Sequence, residues 1–350
     1  MEHAKIKHNI PSIYFEITNK CNLFCKHCYN NSGNKNNSEI EPIYIENLFA
    51  DMQKNGLKNL SLSGGEPLLH SEIKHIVKTS KKYGIDLKII TNGTLLDKYI
   101  DFLYENNIKI QISIDGSTPK IHNIIRGNGS FEKMESNLKL AIKKGAECYL
   151  KSTINYYNAD DVEKMILYAI DKGASMISFS FTNNIGRTLE NKDLCISFKK
   201  QFDLLEKFKQ YNKKYKDKIY ISYPEFSNGR CPWNNKKTSD DILKISPRID
   251  VEGNMFLCNA FMDKKYSIGN IKENDLYSIL TGEKLYNLLD YIYLRQFYAK
   301  CEDCFLLKGC GKGCPGEAMS ADIINTDDYC VIRKANFIKE QKQILSKKLN

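Results

Sequence analysis

Three thiols stand at relative positions 0, 4 and 7 in the run Cys21-Asn22-Leu23-Phe24-Cys25-Lys26-His27-Cys28. A tight loop with this spacing can turn three sulfurs toward one point. Thiolates suit zinc and iron–sulfur clusters, because both are thiophilic and stabilise the deprotonated ligand. Ligand count separates the candidates. A four-iron cluster held by three cysteines leaves one iron open to a small molecule, whereas zinc wants a fourth ligand, from His27 or a distant residue. Three unligated buried thiols are the bland alternative. A second group reads Cys301-x2-Cys304-x5-Cys310-x3-Cys314-x15-Cys330, with Cys231 and Gly253-x4-Cys258 upstream. Of the twelve cysteines only Cys148 and Cys195 lie outside these groups. Those two read as small core residues, with a hydrogen-atom donor as the chemical alternative.

So many cysteines would suit a disulfide scaffold only in a short exported chain. This chain has 350 residues and begins Met1-Glu2-His3-Ala4-Lys5, without the apolar core of an export signal. No run nears the ~18 apolar residues of a membrane span, so the expectation is a cytoplasmic protein with no membrane partner. Hydrophobic residues make up 42%, enough for a sizeable core, and the length fits about two domains. The formal net charge of +10 is spread over lysine-rich faces such as Lys199-Lys200 and Lys213-Lys214. Such faces are ordinarily solvated; attraction to an acidic peptide or a nucleic acid is the bolder reading.

The elements that position these residues follow from the apolar pattern. Short strands are expected at 13–17, 59–63, 87–91, 108–114, 148–154 and 176–181, with helices near 43–55, 71–83, 94–106, 131–144, 158–172 and 192–215. Gly56, Gly84 and Gly173 mark three helix ends. Six strand–helix units argue for a parallel α/β sheet and fall short of the eight in a complete barrel. The expectation is a partial (β/α)6 TIM-like barrel over 1–215, then a small cysteine-rich α+β domain over 216–350. In the latter, 245–249 and 255–257 flank Glu252-Gly253-Asn254 as a hairpin, and a helix is expected near 283–297.

The cysteine loop, placed after the first strand, resembles the cluster loop of the radical S-adenosylmethionine (radical SAM) enzymes, and further motifs follow in order. Ser63-Gly64-Gly65-Glu66-Pro67 follows the second strand and resembles the glycine motif that holds the SAM amino group. Asn92-Gly93 follows the third. Ser113-x-Asp115-Gly116 ends the fourth, and His122, Arg126-Gly127 and Gly129-Ser130-Phe131 come after it. The resemblance implies a [4Fe-4S] cluster on Cys21, Cys25 and Cys28. It also implies a SAM site drawn from Gly64, Gly65, Glu66, Asn92, Ser113, Asp115 and Arg126. Glu66 suits the ammonium of methionine, Arg126 its carboxylate and Ser113 a ribose hydroxyl. The reaction implied is reductive cleavage of SAM to a 5′-deoxyadenosyl radical that removes hydrogen from an unactivated C–H bond.

The later cysteines resemble the seven-cysteine SPASM extension of enzymes that modify peptides and proteins. By that resemblance Cys231, Cys258 and Cys314 ligate a proximal auxiliary [4Fe-4S] cluster, and Cys301, Cys304, Cys310 and Cys330 a distal one, making three clusters in all. The gap from Cys231 to Gly253 is longer than usual, and Asn234–Asp241 looks like an insertion. No further cysteine lies in Tyr223–Arg230. The proximal cluster is therefore expected either to keep an open iron or to take Glu225, Cys195 or another distant ligand.

The leading function implied is maturation of a ribosomally made precursor peptide through a thioether or C–C crosslink, or a related edit. A flavodoxin- or ferredoxin-type donor would supply electrons. About 12 residues precede the first strand, so leader recognition would need a separate protein or the barrel surface. Formylglycine formation in a sulfatase is an alternative, disfavoured by Asn259 where an acidic residue is expected. A small-molecule or haem-precursor oxidation is another. An iron–sulfur sensor or binding module is the non-enzyme reading. No helix-turn-helix or regular aromatic–basic interleaving favours nucleic acid.

Overall fold

The computed structural model describes residues 6–33, 37–224, 233, 237–298, 304, 314–320, 330, 334 and 338. Six expected strands form as β1 (Ile13–Thr18), β2 (Asn59–Gly64), β3 (Asp86–Thr91), β4 (Lys109–Ser113), β5 (Cys148–Ile154) and β6 (Met176–Phe181). Each pairs in parallel with the next. A seventh parallel strand, β7 (Tyr220–Ser222), extends the run beyond six units; three residues are too few for periodicity to reveal.

Helices cover the outer face because their apolar positions recur at helical spacing. In α1 (Pro42–Lys54) these are Ile45, Leu48, Phe49 and Met52, and in α2 (Ile73–Lys82) Ile73, Ile76, Val77 and Ser80 are buried. Two expected helices are shorter than their pattern suggests. The one near 94–106 breaks into a 3-10 turn at Leu96–Lys98 and α3 (Ile100–Glu105). The one near 158–172 starts only at Val162, because side-chain bonds hold the preceding segment in a loop. Asn155 N donates to Asn158 Oδ1 at 2.7 Å, and Asn158 Nδ2 reaches the Asp115 carbonyl at 3.2 Å. A short helix unforeseen in the sequence, α4 (Pro119–Arg126), opens on its proline and carries His122 and Arg126 inward. Then come α5 (Ser130–Lys143), α6 (Val162–Asp171) and α7 (Phe198–Tyr215), whose Ser197 cap accepts from Lys200 N.

The expected hairpin forms as β8 (Arg248–Ile249) and β9 (Asn254–Phe256), with Asp250 Oδ1 accepting from Glu252 N and Asn254 N in the turn. It continues the barrel sheet. β8 lies parallel to β1, and β9 pairs with β10 (Gly269–Asn270), giving the order β10-β9-β8-β1-β2-β3-β4-β5-β6-β7. Among the described residues this ten-stranded sheet stays open. The helices α8 (Leu276–Thr281) and α9 (Glu283–Tyr298) follow.

Along β5 and β6 burial alternates strictly: Leu150, Ser152, Ile177 and Phe179 pack under the helices, while Lys151, Thr153, Ser178 and Ser180 face the other side. Closed barrels fill that inner side with branched apolar side chains. Here it is polar and hollow.

Candidate active site

The loop Cys21–Cys28 leaves the C-terminal end of β1 and is gripped from several directions. Arg187, beyond β6, donates through Nη1 to the Cys25 carbonyl at 2.7 Å, through Nη2 to the Ser32 carbonyl and through Nε to Asn31 Oδ1 at 3.2 Å. Its guanidinium also lies 3.4 Å from the centre of the Phe24 ring. A guanidinium suits this task because its fan of donors meets several carbonyls at once. Neither periodicity nor a motif marks Arg187. On another side, Asn22 donates to Thr94 Oγ1 at 2.8 Å and accepts from Asn92 Nδ2 at 3.0 Å, tying the loop to the end of β3.

Two buried carboxylates hold the neighbouring loops. Asp115 Oδ2 receives Arg126 Nε and His27 Nε2, each at 2.6 Å, and Oδ1 accepts from Thr153 N at 2.8 Å. Burial opposes its charge, yet Arg126 and then His27 hold Asp115 well below the usual carboxylate range. His122, against the same loop, is brought down to about 3 by burial and by Arg126, and its Nδ1 accepts from Asp115 N. Glu66 is also fully buried, but its partners are neutral: Thr91 Oγ1 at 2.8 Å, Asn92 N at 2.8 Å and Leu68 N at 3.2 Å. Burial pushes it up to about 7 against those donors. Glu66, expected to meet an ammonium group, thus clamps the β2 loop to the β3 loop. Asp115 stands behind the cavity wall rather than on it.

The glycines have a structural reason beside the expected ligand approach. A Cβ on Gly64 would lie 2.2 Å from the Thr18 carbonyl oxygen, and one on Gly65 would lie 2.2 Å from that of Lys20. Side-chain-free residues let Gly65 N and Glu66 N donate to the Thr18 and Lys20 carbonyls at 2.7 and 2.8 Å. The glycine loop therefore docks on the root of the cysteine loop.

Between these elements lies a cavity of about 410 Å³, lined by Cys21, Cys25 and Cys28 as well as Gly64, Gly65, Asn92, Ser113 and Arg126. Five of the seven expected SAM residues thus share one cavity with the three thiols. Arg126 Nη1 is 4.0 Å from Cys25 Sγ. Burial pushes the Cys21 thiol up to about 12 and raises Cys25 as well, so bare thiols stay protonated until a cation displaces the proton. Among the described residues no three His, Cys, Asp or Glu side chains converge on a point that would hold a single ion. Four ligands around one zinc at ~2.3 Å crowd together, whereas thiolates that each take a different corner of a cubane stand apart. The donor set fits a cluster better than zinc.

A hydrogen-bonded chain crosses from this cavity to the hairpin. Tyr14 OH bonds Ser63 Oγ at 2.5 Å and Tyr29 OH at 2.8 Å, and Tyr29 donates to Glu16 Oε1 at 2.9 Å. Arg248 closes the chain on Glu16 with two bonds of 2.8 and 2.9 Å, a buried bidentate pair. Burial, reinforced by Glu16, pushes Tyr14 up to about 12. Asn259, next to Cys258, lines the same cavity. Cys258 Sγ accepts from Ala260 N at 3.4 Å. Gly316 packs on Ala260, bringing the helix Pro315–Ser320 that follows Cys314 to the hairpin. Cys231, Cys301 and Cys310, with Glu225, lie outside the described residues; Cys304 and Cys330 are half-buried. Cys148 is a buried core residue, as expected.

The Radical SAM superfamily model matches residues 15–169, and SPASM, an iron-sulfur cluster-binding domain, matches residues 243–305. Over 340 residues the chain is 26% identical to the antilisterial bacteriocin subtilosin biosynthesis protein AlbA of Bacillus subtilis (strain 168), across 95% of this chain and 73% of AlbA. The fold is similar to that of Streptococcus suis SuiB bound to S-adenosylmethionine, with a TM-score of 0.72 and 17% identity over 92% of this chain and 77% of SuiB. It is also similar to native anSMEcpe with bound AdoMet, with a TM-score of 0.74 and 20% identity over 96% and 98%. No described helix is long and apolar enough to cross a membrane. The chain accordingly carries a Radical SAM domain and a SPASM iron-sulfur cluster-binding domain, which make it an enzyme whose cofactors are S-adenosylmethionine and [4Fe-4S] clusters.

Proposed function

We propose that this enzyme matures a ribosomally made peptide, introducing a thioether or C–C crosslink or a related edit. The observation that carries the reading is the shared cavity. The three cluster cysteines and Asn259 of the Cys258 segment line one hollow, so a bound substrate lies within reach of both. AlbA, similar along nearly the whole chain, is a biosynthesis protein for a bacteriocin. SuiB has been solved with its precursor peptide SuiA. The formylglycine alternative is disfavoured by Asn259.

Cys21, Cys25 and Cys28 hold the catalytic cluster; Gly64, Gly65, Asn92, Ser113 and Arg126 hold SAM. Glu66 and Asp115 position those loops. Cys231, Cys258 and Cys314 bind the proximal auxiliary cluster, and Cys301, Cys304, Cys310 and Cys330 the distal one, within a SPASM domain over 216–350 that follows a barrel domain over 1–215. When bound, the cofactors supply abstraction of hydrogen from an unactivated C–H bond. The protein's part is to dock that bond in the cavity and exclude water. A flavodoxin- or ferredoxin-type protein supplies electrons in the cytoplasm, and a separate leader-binding protein or the barrel surface selects the precursor.

The test is anaerobic incubation of the reconstituted enzyme with SAM, dithionite and a pool of cysteine-containing peptides. A SAM-dependent loss of two hydrogens from a peptide is the expected product. SAM consumption with every peptide unchanged would overturn the reading.

A further inference from the structure

Among the described residues the cavity wall holds three basic side chains, and two of them share one acid: Arg126 and His27 both bond Asp115. The third is Lys151. It lies on β5, level with Ser113 of β4 and Ser178 of β6, on the strands farthest in sheet order from the hairpin. Its Nζ has one hydrogen-bond partner among the described residues, Ser178 Oγ at 3.2 Å, and no carboxylate in ion-pair contact. Gln111, Thr153 and Ser180 line the same side of the cavity, and all are neutral. Lys88, half-buried on β3, adds a like charge and has no acid in ion-pair contact among the described residues.

A half-buried ammonium without a carboxylate in contact is partly desolvated at a cost, and a cavity that keeps one is suited to receive an anion. The charge of Lys88 also disfavours the charged form of Lys151. Burial, then the charge of Lys88, brings Lys151 down to about 8 against the pull of Asp115. An incoming carboxylate relieves both effects and gains a charge-assisted hydrogen bond. The net charge of +10 favours the approach of an acidic chain from outside.

We propose that Lys151 anchors a carboxylate of the substrate inside the cavity, which makes the substrate an acidic peptide; this rests on the peptide-maturation reading above. The carboxylate comes either from an Asp or Glu side chain or from the peptide's C-terminus. Lys151 thereby selects what is presented, while the cluster loop and the glycine loop serve the chemistry.

The test scores matched peptides on the reconstituted enzyme with SAM. One pair differs by Glu against Gln beside the modified residue, and another by a free against an amidated C-terminus. In the unaltered enzyme the acidic member of one pair is expected to be modified about tenfold more efficiently, mostly through KM. The pair that responds identifies the source of the carboxylate. Lys151→Gln brings that ratio near one, and Lys151→Arg keeps it. Equal rates in the unaltered enzyme, or a preference that survives in Lys151→Gln, would overturn the proposal. Should no peptide be modified although SAM is consumed, the maturation reading itself fails. Acetic anhydride labelling of Lys151 in the holoenzyme then decides the anion site. Protection by N-acetylglutamate but not by N-acetylglutamine supports it, and equal labelling with both overturns it.

Discussion

Glu66 follows β2 and Asp115 follows β4, on either side of β3; both are fully buried, and the resemblance assigned both to SAM. The structure gives them opposite electrostatics. Asp115 bonds the Arg126 guanidinium and His27 and stays charged; Glu66 accepts hydrogen bonds from neutral donors alone, feels Arg126 only as a lesser pull, and is pushed up by burial to about 7. Burial alone therefore does not decide whether a carboxylate is ionised; the charge of its partners does. The β4 side of the site is an ionic hub that joins Arg126 and the cluster loop through His27. The β2 side is a hydrogen-bonded clamp.

Breaking the hub should have the largest effect. Asp115→Asn leaves the buried Arg126 without its acid, and removing one partner of such a pair costs about 3–5 kcal/mol. Anaerobic denaturant titration should show a loss of that size, together with weakened cluster retention. A loss under about 1 kcal/mol would mean that the hub is not a tightly coupled ion pair.

Glu66→Gln is expected to cost less, about 1–3 kcal/mol, because one amide hydrogen then faces the Asn92 N–H and leaves it unsatisfied. The pH dependence separates the two carboxylates. Glu66 holds its proton to about pH 7 in the folded protein, against 4.5 as its ordinary value. The folded state therefore binds more protons between those limits, and stability falls as pH rises through the window. Glu66→Gln removes that slope. Asp115 is depressed in the folded state, so its contribution is complete above its ordinary value of 3.8 and is lost only at lower pH. Asp115→Asn leaves the Glu66 contribution to that slope in place. A Glu66→Gln curve parallel to that of the unaltered protein would refute the clamp.

The smallest effect probes the chain that links the cavity to the hairpin. Tyr29→Phe removes the bonds to Glu16 and Tyr14 while Arg248 still pairs with Glu16. A loss of about 1–2 kcal/mol is expected in the same titration. No change would mean that Arg248 alone joins hairpin and barrel.

Much of this architecture was legible in the sequence because strand alternation and cysteine spacing are local signals. The six strands, the hairpin turn and the thiol loop all fell where the pattern put them. What was hidden depends on partners remote in sequence. Arg187 grips carbonyls at Cys25 and Ser32, across more than 150 residues, and no local pattern encodes that. The roles of Glu66 and Asp115 turn on which side chains the folded loops bring to them. The glycines also have a role that no motif showed: they admit the Thr18 and Lys20 carbonyls of the same chain. Asn158 delayed the start of an expected helix by accepting from Asn155 N and donating to the Asp115 carbonyl.

The most direct test of the account is the iron and sulfide content of anaerobically prepared enzyme, beside a variant in which Cys21, Cys25 and Cys28 are all replaced by alanine. Three four-iron clusters predict about twelve irons per chain, with about eight retained in the variant. About four irons in the parent, all lost in the variant, would contradict the assignment of the later cysteines to auxiliary clusters and remove the main support for a peptide substrate.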